Sequence, residues 1–383
     1  MNYVKGRTIQ ISEPVTGKEE LDALSVPLET GWLTQGPKVK EFENHFANMH
    51  STKFAFATTS CTTSLHLALS SIDIMPGDEV IVPAFTWVST ANVVVYCGAK
   101  PVFVDVRADT YNIDFEKIKD NISSKTKAII PVHLFGLCAD MDEINSCLPK
   151  GVKVIEDAAC AVGASYKNRM SGSLGDFGAF SFHPRKIITT GEGGMITTND
   201  EYLAKKAEIL RNHGASISEE KRHQGAKPYL LPDFDVLGFN YRMTDLQGAV
   251  GLAQLGKLDN FLSERKKWAE WYLGEISDIP WINLPNFNHN YDHSWQAFVV
   301  VIDEEKSPFS RNEIMEKLLE AGISTRPGTH AVTNLGYYRD KFRTKKSDFP
   351  VATMLEDCSL ALPLHNKMDI EDFEYISKII HSI

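Results

Sequence analysis

Residues 154–195 read VIEDAACAVGASYKNRMSGSLGDFGAFSFHPRKIITTGEGGM. The apolar run at 152–155 predicts a short strand that ends in two carboxylates, Glu156 and Asp157. A glycine-rich passage leads to a second expected strand at 178–182. One lysine, Lys186, follows in a loop that closes on Gly191-Glu192-Gly193-Gly194. An acid ending one parallel strand and a lysine just past another would both face the crevice where open α/β sheets hold ligands.

That pairing suits pyridoxal phosphate (PLP). The cofactor needs a lysine to hold its aldehyde as a Schiff base, and an acid to keep its ring nitrogen protonated as an electron sink. Lys186 would be the lysine and Asp157 the acid. Burial there would lower the ammonium pKa and let Lys186 act as a base. Each residue alone has a plainer reading, Asp157 as a helix cap and Lys186 as a solvated loop lysine, because most Asp and Lys lie at the surface.

The flanking sequence extends the pattern. From residue 53, apolar runs at 54–57, 79–82, 102–104, 128–132 and 152–155 alternate with helical stretches, which predicts βαβ units and a mostly parallel sheet. Continuous apolar strands such as IIPV at 129–132 fit a sheet covered on both faces. The first strand runs into Thr58-Thr59-Ser60-Cys61-Thr62-Thr63-Ser64 and then a helical LHLALSSI. Hydroxyls at a helix N-terminus suit an anion, and Ser60 or Thr62 could equally be a simple cap. Trp87, between a strand and a helix, could lay its ring on a flat cofactor or fill the core. Asn112-Ile113-Asp114 predicts a short helix start.

Towards the N-terminus, residues 1–16 read as an irregular arm. A helix is expected from Lys18 to about Leu24, before Pro27, and another from Val39 to Met49 with Pro37 in its first turn. Past the lysine loop, a helix is expected from Glu201 to about His213 and an exposed loop over 214–236. Gly238–Gln247 precedes a helical pattern reaching about residue 272, with Thr244 or Asp245 as cap. Beyond it the chain becomes turn-rich, with a strand at 297–302 and helices near 311–321 and 370–381. This divides the chain into a large unit (1–250) and a small α+β unit (251–383) reached by a long linking helix. Gly322–His330 mixes Gly, Pro, Arg and His as ligand-contacting loops do. Arg326 could meet a carboxylate or phosphate bidentately or be a surface arginine.

The bulk properties exclude several classes. The 383 residues carry a formal net charge of -10, so nucleic acid is not an expected partner. The 43% hydrophobic and 23% charged composition is that of a globular protein. Six cysteines without a C-x-x-C pair, no signal-like segment and no membrane-length apolar run predict a cytoplasmic protein with reduced thiols. The sequon Asn121-Ile122-Ser123 would then be idle. Asp176-Phe177-Gly178 lacks the other kinase motifs. His289 and His293 lack an intervening Glu and lie in a turn-rich stretch, so no metal site is expected.

Taken together, these stretches resemble the DegT/StrS-type PLP-dependent aminotransferases, which act on keto sugars attached to nucleotides. The residues that carry the likeness are Glu156-Asp157-Ala158-Ala159, Gly175-Asp176, Gly178–Phe182, Lys186 and Gly191–Gly194. Thr30–Pro37, Pro83–Thr90, Gly238–Gln247 and Ala361–His365 add to it. The departures are Cys160 where many members carry Gln near the cofactor's phenolic oxygen, Cys61 for Gly, and Gly248 for Ala. The resemblance implies an α/β fold, PLP-dependent transferase fold type I, with PLP cycling through pyridoxamine phosphate. It implies Lys186 and Asp157 as catalytic residues, and Thr62, Thr63, Ser181 and the partner subunit's Asn240 on the phosphate. Trp87 would lie on the ring, with Cys160 beside it. Thr34, His183, Arg242, Arg326 and His330 would contact substrate. A homodimer with shared active sites follows, moving an amino group from L-glutamate to a keto sugar nucleotide in surface polysaccharide or glycan biosynthesis. A 4-keto-6-deoxyhexose, as used by perosamine-synthase-like enzymes, fits best. The alternatives are a smaller keto-phosphate acceptor, or a sugar dehydratase on the same fold, whose relatives carry histidine in place of the lysine.

Overall fold

The structure is a computed structural model that describes residues 8–216, 229 and 231–383. Two helices come first, α1 (Lys18–Thr30) and α2 (Pro37–Met49). The alternating region comprises β1 (Phe54–Thr58), α3 (Cys61–Ser71), β2 (Glu79–Pro83), β3 (Phe85–Thr86), α4 (Ser89–Tyr96), β4 (Lys100–Val104), β5 (Thr126–Ile129) and α5 (Met141–Cys147). It continues with β6 (Lys153–Asp157), the hairpin β7 (Ser165–Tyr166) and β8 (Arg169–Met170), β9 (Phe177–Ser181), β10 (Gly194–Thr198) and α6 (Glu201–Arg211). Beyond it lie α7 (Asp245–Leu255), α8 (Leu258–Glu275), β11 (Ile282–Asn283), β12 (Tyr291–Asp292), β13 (Phe298–Ile302) and α9 (Arg311–Glu320). The chain ends with β14 (His330–Ala331), α10 (Gly336–Phe342), α11 (Pro350–Cys358), β15 (Ser359–Leu362) and α12 (Ile370–His381).

Seven strands form the main sheet in the order β1-β10-β9-β6-β5-β2-β4. β9, β6, β5, β2 and β4 run parallel, while β10 is antiparallel to both its neighbours. Successive residues of one strand enter opposite cores, as a pleat with both faces covered requires. Val80 and Val82 pack into one apolar cluster and Ile81 into the other; Ile155 and Val154 divide the same way. A third cluster surrounds the antiparallel sheet β11-β13-β15, with α8, α9 and α12 packed against it.

Several element boundaries differ from the sequence expectation. α1 passes through Pro27 to Thr30. Proline lacks an N–H and crowds the carbonyl four residues back, but here it falls in the last turn, where Thr30 Oγ1 donates to the Val26 carbonyl at 2.9 Å. The long helix expected over 245–272 is two, broken at Gly256-Lys257, where Lys257 Nζ turns to the Glu20 carboxylate at 2.7 and 2.9 Å. Helices α10 and α11 were not expected. The first residues of α11 are held from outside: Asp105 accepts the N–H groups of Val351 and Ala352 at 3.1 and 2.8 Å. The described part of the N-terminal arm is irregular but fastened, because Ile9 exchanges backbone hydrogen bonds with Gly322 and Ser324, both at 2.8 Å. The loop expected over 214–236 lies largely outside the described residues. Among the described residues, no helix is long and apolar enough to cross a membrane.

Candidate active site

The two acids ending β6 face opposite sides of the sheet. Glu156 is fully buried and accepts the N–H groups of Gly172, Leu174 and Gly175, each at 2.7 Å. His133 Nε2 donates to it at 2.8 Å, a tautomer assigned because His133 Nδ1 accepts the Ala139 N–H at 3.1 Å. Every oxygen of Glu156 is thus used in holding the loop between β8 and β9. Asp157 points to the other side and is only 4% exposed. Thr90 Oγ1 donates to its Oδ2 at 2.7 Å, the Ala159 N–H to its Oδ1 at 3.2 Å, and the Cys61 thiol lies 3.9 Å away. Burial pushes the Asp157 pKa up, against the opposing pull of Thr90, Ala159 and the Lys186 charge. Among the described residues it forms no ion pair, so a buried carboxylate waits for a cationic N–H.

Lys186 reaches the same cleft from the loop after β9. That loop closes on itself, with the Phe182 N–H bonded to the Gly193 carbonyl at 2.9 Å and the Lys186 N–H to the His183 carbonyl at 2.8 Å. The half-buried Lys186 donates from Nζ to Cys160 Sγ at 3.0 Å. Burial alone would lower its pKa, but Cys160, Cys61 and Asp157 act on the ammonium and hold it above its ordinary value. Burial therefore acts on Lys186 in the expected direction and is outweighed by these neighbours in the free protein. In the free protein Lys186 is a firmly protonated cation among acidic partners.

The hydroxyl cluster opens α3. Ser60 is the cap, its Oγ accepting the Thr63 N–H at 3.2 Å, and Thr63 Oγ1 returns to the Ser60 backbone. Thr62 Oγ1 and the first-turn N–H groups of Cys61 and Thr62 have no partner among the described residues. Gly194 makes room for this turn: a Cβ there would sit 2.7 Å from the Cys61 nitrogen. Ser181, buried at the end of β9, accepts the His183 N–H at 3.4 Å. A helix start with open N–H groups, a buried unpaired carboxylate and a lysine in one cleft are the donor set that PLP's phosphate, ring nitrogen and aldehyde call for. The residues fit the cofactor.

The remaining expected residues fall around this centre. Trp87 is 60% exposed and lies against His330, with ring centroids 5.7 Å apart. His330 arrives there because β14 pairs with β3, opposite Thr86. The segment 240–243 runs beside the hydroxyl cluster through a Thr58–Arg242 bridge and a Thr59 N–H bond to the Tyr241 carbonyl at 3.1 Å. Arg242 is tied to Asn212 Oδ1 at 2.6 Å, whereas the Asn240 side chain is exposed. Thr34 is exposed and gives its carbonyl to the Asp245 N–H at 3.1 Å. His183 accepts the Arg185 N–H at 3.2 Å, and burial lowers its pKa. Arg326 pairs with Ala361 through its backbone and leaves its side chain exposed. Thr90 and Ser294, which holds the Cys160 carbonyl at 3.2 Å, were not singled out from sequence. The Thr four residues after Thr86, one helical turn on, was the available signal for Thr90; nothing near Ser294 gave one.

Residues 14–381 match the DegT/DnrJ/EryC1/StrS aminotransferase family. The spore coat polysaccharide biosynthesis protein SpsC of Bacillus subtilis is 40% identical over 97% of this chain and 96% of its own length. The structure of the putative sugar aminotransferase Spr1654 from Streptococcus pneumoniae in its pyridoxamine phosphate form superposes with a TM-score of 0.91 at 29% identity, covering 98% of both chains. Helicobacter pylori PseC, an aminotransferase of pseudoaminic acid biosynthesis, gives 0.90 at 26% identity over 98% of this chain and 99% of its own.

Proposed function

The chain belongs to the DegT/DnrJ/EryC1/StrS aminotransferase family and is a PLP-dependent aminotransferase of fold type I, and from that premise we propose that it moves an amino group from L-glutamate to a keto sugar nucleotide, with a 4-keto-6-deoxyhexose as acceptor, in the making of a surface polysaccharide or glycan. The observation that carries this reading is the joint placement of Lys186 and the buried, ion-pair-free Asp157 in one cleft. The sugar class draws support from SpsC, Spr1654 and PseC.

When bound, PLP supplies an electron sink that makes removal of a proton from the donor's α-carbon feasible. Asp157 holds the proton on the ring nitrogen. That pairing would neutralise Asp157, one of the charges that act on Lys186, while burial continues to oppose the ammonium. Lys186 Nζ takes the α-proton of the amino donor and carries it across the cleft. The N-terminus of α3 with Thr62, Thr63 and Ser181 binds the phosphate, completed by Asn240 of the partner subunit across a homodimer. The exposure of Asn240 in its own subunit supports that role. Trp87 covers the ring, Cys160 takes the place beside it, and Thr34, His183, Arg242, Arg326 and His330 contact the acceptor. The catalytic unit is residues 1–250 and the smaller unit 251–383.

Turnover is measured with isotope-labelled glutamate and a panel of keto acceptors. We expect Lys186→Ala to lose the glutamate-driven conversion of cofactor to its amino form by roughly 10²–10⁴-fold or more. A fully active Lys186→Ala removes the assignment. Transfer to a small keto-phosphate but to no sugar nucleotide overturns the acceptor class.

A further inference from the structure

Cys160 Sγ and Lys186 Nζ, 3.0 Å apart, are a nucleophile pair in direct contact. We propose that they form an oxidative modification site, in which peroxide converts Cys160 to a sulfenic acid that Lys186 traps as a covalent sulfur–nitrogen link.

Two balanced steps suffice. Hydrogen peroxide oxidises the Cys160 thiol by two electrons to the sulfenic acid and is itself reduced to water. The Lys186 ammonium gives up a proton to solvent, and the neutral amine then attacks the sulfenic sulfur. An S–N bond forms, the S–O bond breaks, and the hydroxyl leaves as water with one amine proton. Added dithiol reverses the link: a thiolate attacks the sulfur, the amine departs with a proton, and the second thiol frees Cys160.

Three features of the cleft favour this course. All six cysteines are free thiols, and Cys160 is only partly buried, so peroxide can reach it. Sulfur beside an ammonium is the setting in which cysteines meet oxidants productively. The sulfur is also held facing the lysine, because its backbone carbonyl is fixed by Ser294 Oγ at 3.2 Å and the preceding turn is closed by the Ala161 N–H to the Ala158 carbonyl at 2.9 Å. Cys160 gives the protein a reactive atom where many members of the resembled family carry an amide. The consequence for activity rests on Lys186 being the cofactor's lysine: PLP attached to Lys186 would protect the pair, and the pyridoxamine phosphate form would leave it open.

Full-length protein is treated with hydrogen peroxide in three states: cofactor-free, loaded with PLP, and loaded with pyridoxamine phosphate. It is then digested without reductant and mapped by mass spectrometry. We expect a Cys160–Lys186 linked peptide pair, two hydrogens short of the sum, in the first and third states. It should be suppressed in the second and lost on dithiothreitol treatment, and PLP uptake should fall in proportion to the linked fraction. Cys160→Ser should abolish the link and Cys61→Ser should keep it. Recovery of Cys160 as thiol, or as sulfinic acid with Lys186 unmodified, overturns the proposal in wild-type protein alone. A link that forms equally with PLP loaded supports the modification site and counts against Lys186 as the cofactor's lysine.

Discussion

Glu156 and Asp157 are adjacent acids with opposite duties, because a strand sends successive side chains to opposite faces. Glu156 is spent on three backbone N–H groups and His133, while Asp157 keeps one face for a cation. Its raised pKa means the folded protein binds that proton more tightly than the unfolded chain does. Its stabilising contribution is present below the ordinary carboxylate range and is lost as pH rises through the folded value. In the cofactor-free protein at neutral pH, above the ordinary carboxylate range, the burial of Asp157 is therefore a cost. Asp157→Asn should leave denaturant stability of that form equal or higher while glutamate-driven turnover falls by about 10²-fold or more. Unfolding curves and turnover on the same preparation check both. Lys186 and Asp157 could be found in the sequence because each closes a strand-and-loop pattern. Thr90 had only its spacing from Thr86 to mark it, its partner Asp157 lying 67 residues away, and Ser294 had no signal, its partner Cys160 lying 134 residues away.

Helix ends show most clearly what a local reading misses. α7 is capped by its own Thr244 in a capping box with Gln247, as its sequence announces. α2 has no side-chain cap of its own at Gly36; Asp245, 206 and 207 residues further on, accepts the Val39 and Lys38 N–H groups at 2.8 and 3.1 Å. Asp105 does the same for α11. Gly248 explains itself at this junction, because a Cβ would sit 2.7 Å from the Val39 nitrogen. Asp245→Ala should cost about 2–3 kcal/mol, more than the ~1 kcal/mol expected for Thr244→Ala, since it removes a charged acceptor from two buried-end donors. Urea titrations of the two variants test that order. Periodicity carried the strands and most long helices. It ran straight through the break at Gly256-Lys257, which is set by an acid pair on α1 and not by the local pattern.

The whole molecule carries a pH liability that its composition conceals. His50 is fully buried, stacked 4.4 Å from Phe46 with one nitrogen on the Ser171 carbonyl, and burial lowers its pKa to about 4. His365, also buried, is lowered to about 4. Both stay neutral in the fold while the unfolded chain takes up protons below 6.5. Stability is therefore lost as pH falls from 6.5 towards about 4, by up to ~1.4 kcal/mol per histidine per pH unit. Denaturant stability measured at pH 7 and pH 5 should show the drop, and His50→Leu should remove one histidine's share of the slope. The fold class and the sheet order's parallel core were legible because apolar runs alternate with helices; the pairing of β14 with β3, which brings His330 to Trp87, joins residues too distant for any pattern to link. The bridge from Ile9 to Ile323 has a similar reach, and it matters while the chain is being made. At about 5–20 residues per second, the ribosome exposes the segment around Ile9 roughly 15–60 s before its partner emerges. During that interval this early strip is a sticky end open to chaperones and proteases, and a transcript cut short before codon 323 would yield a nascent polypeptide with no place to stow it.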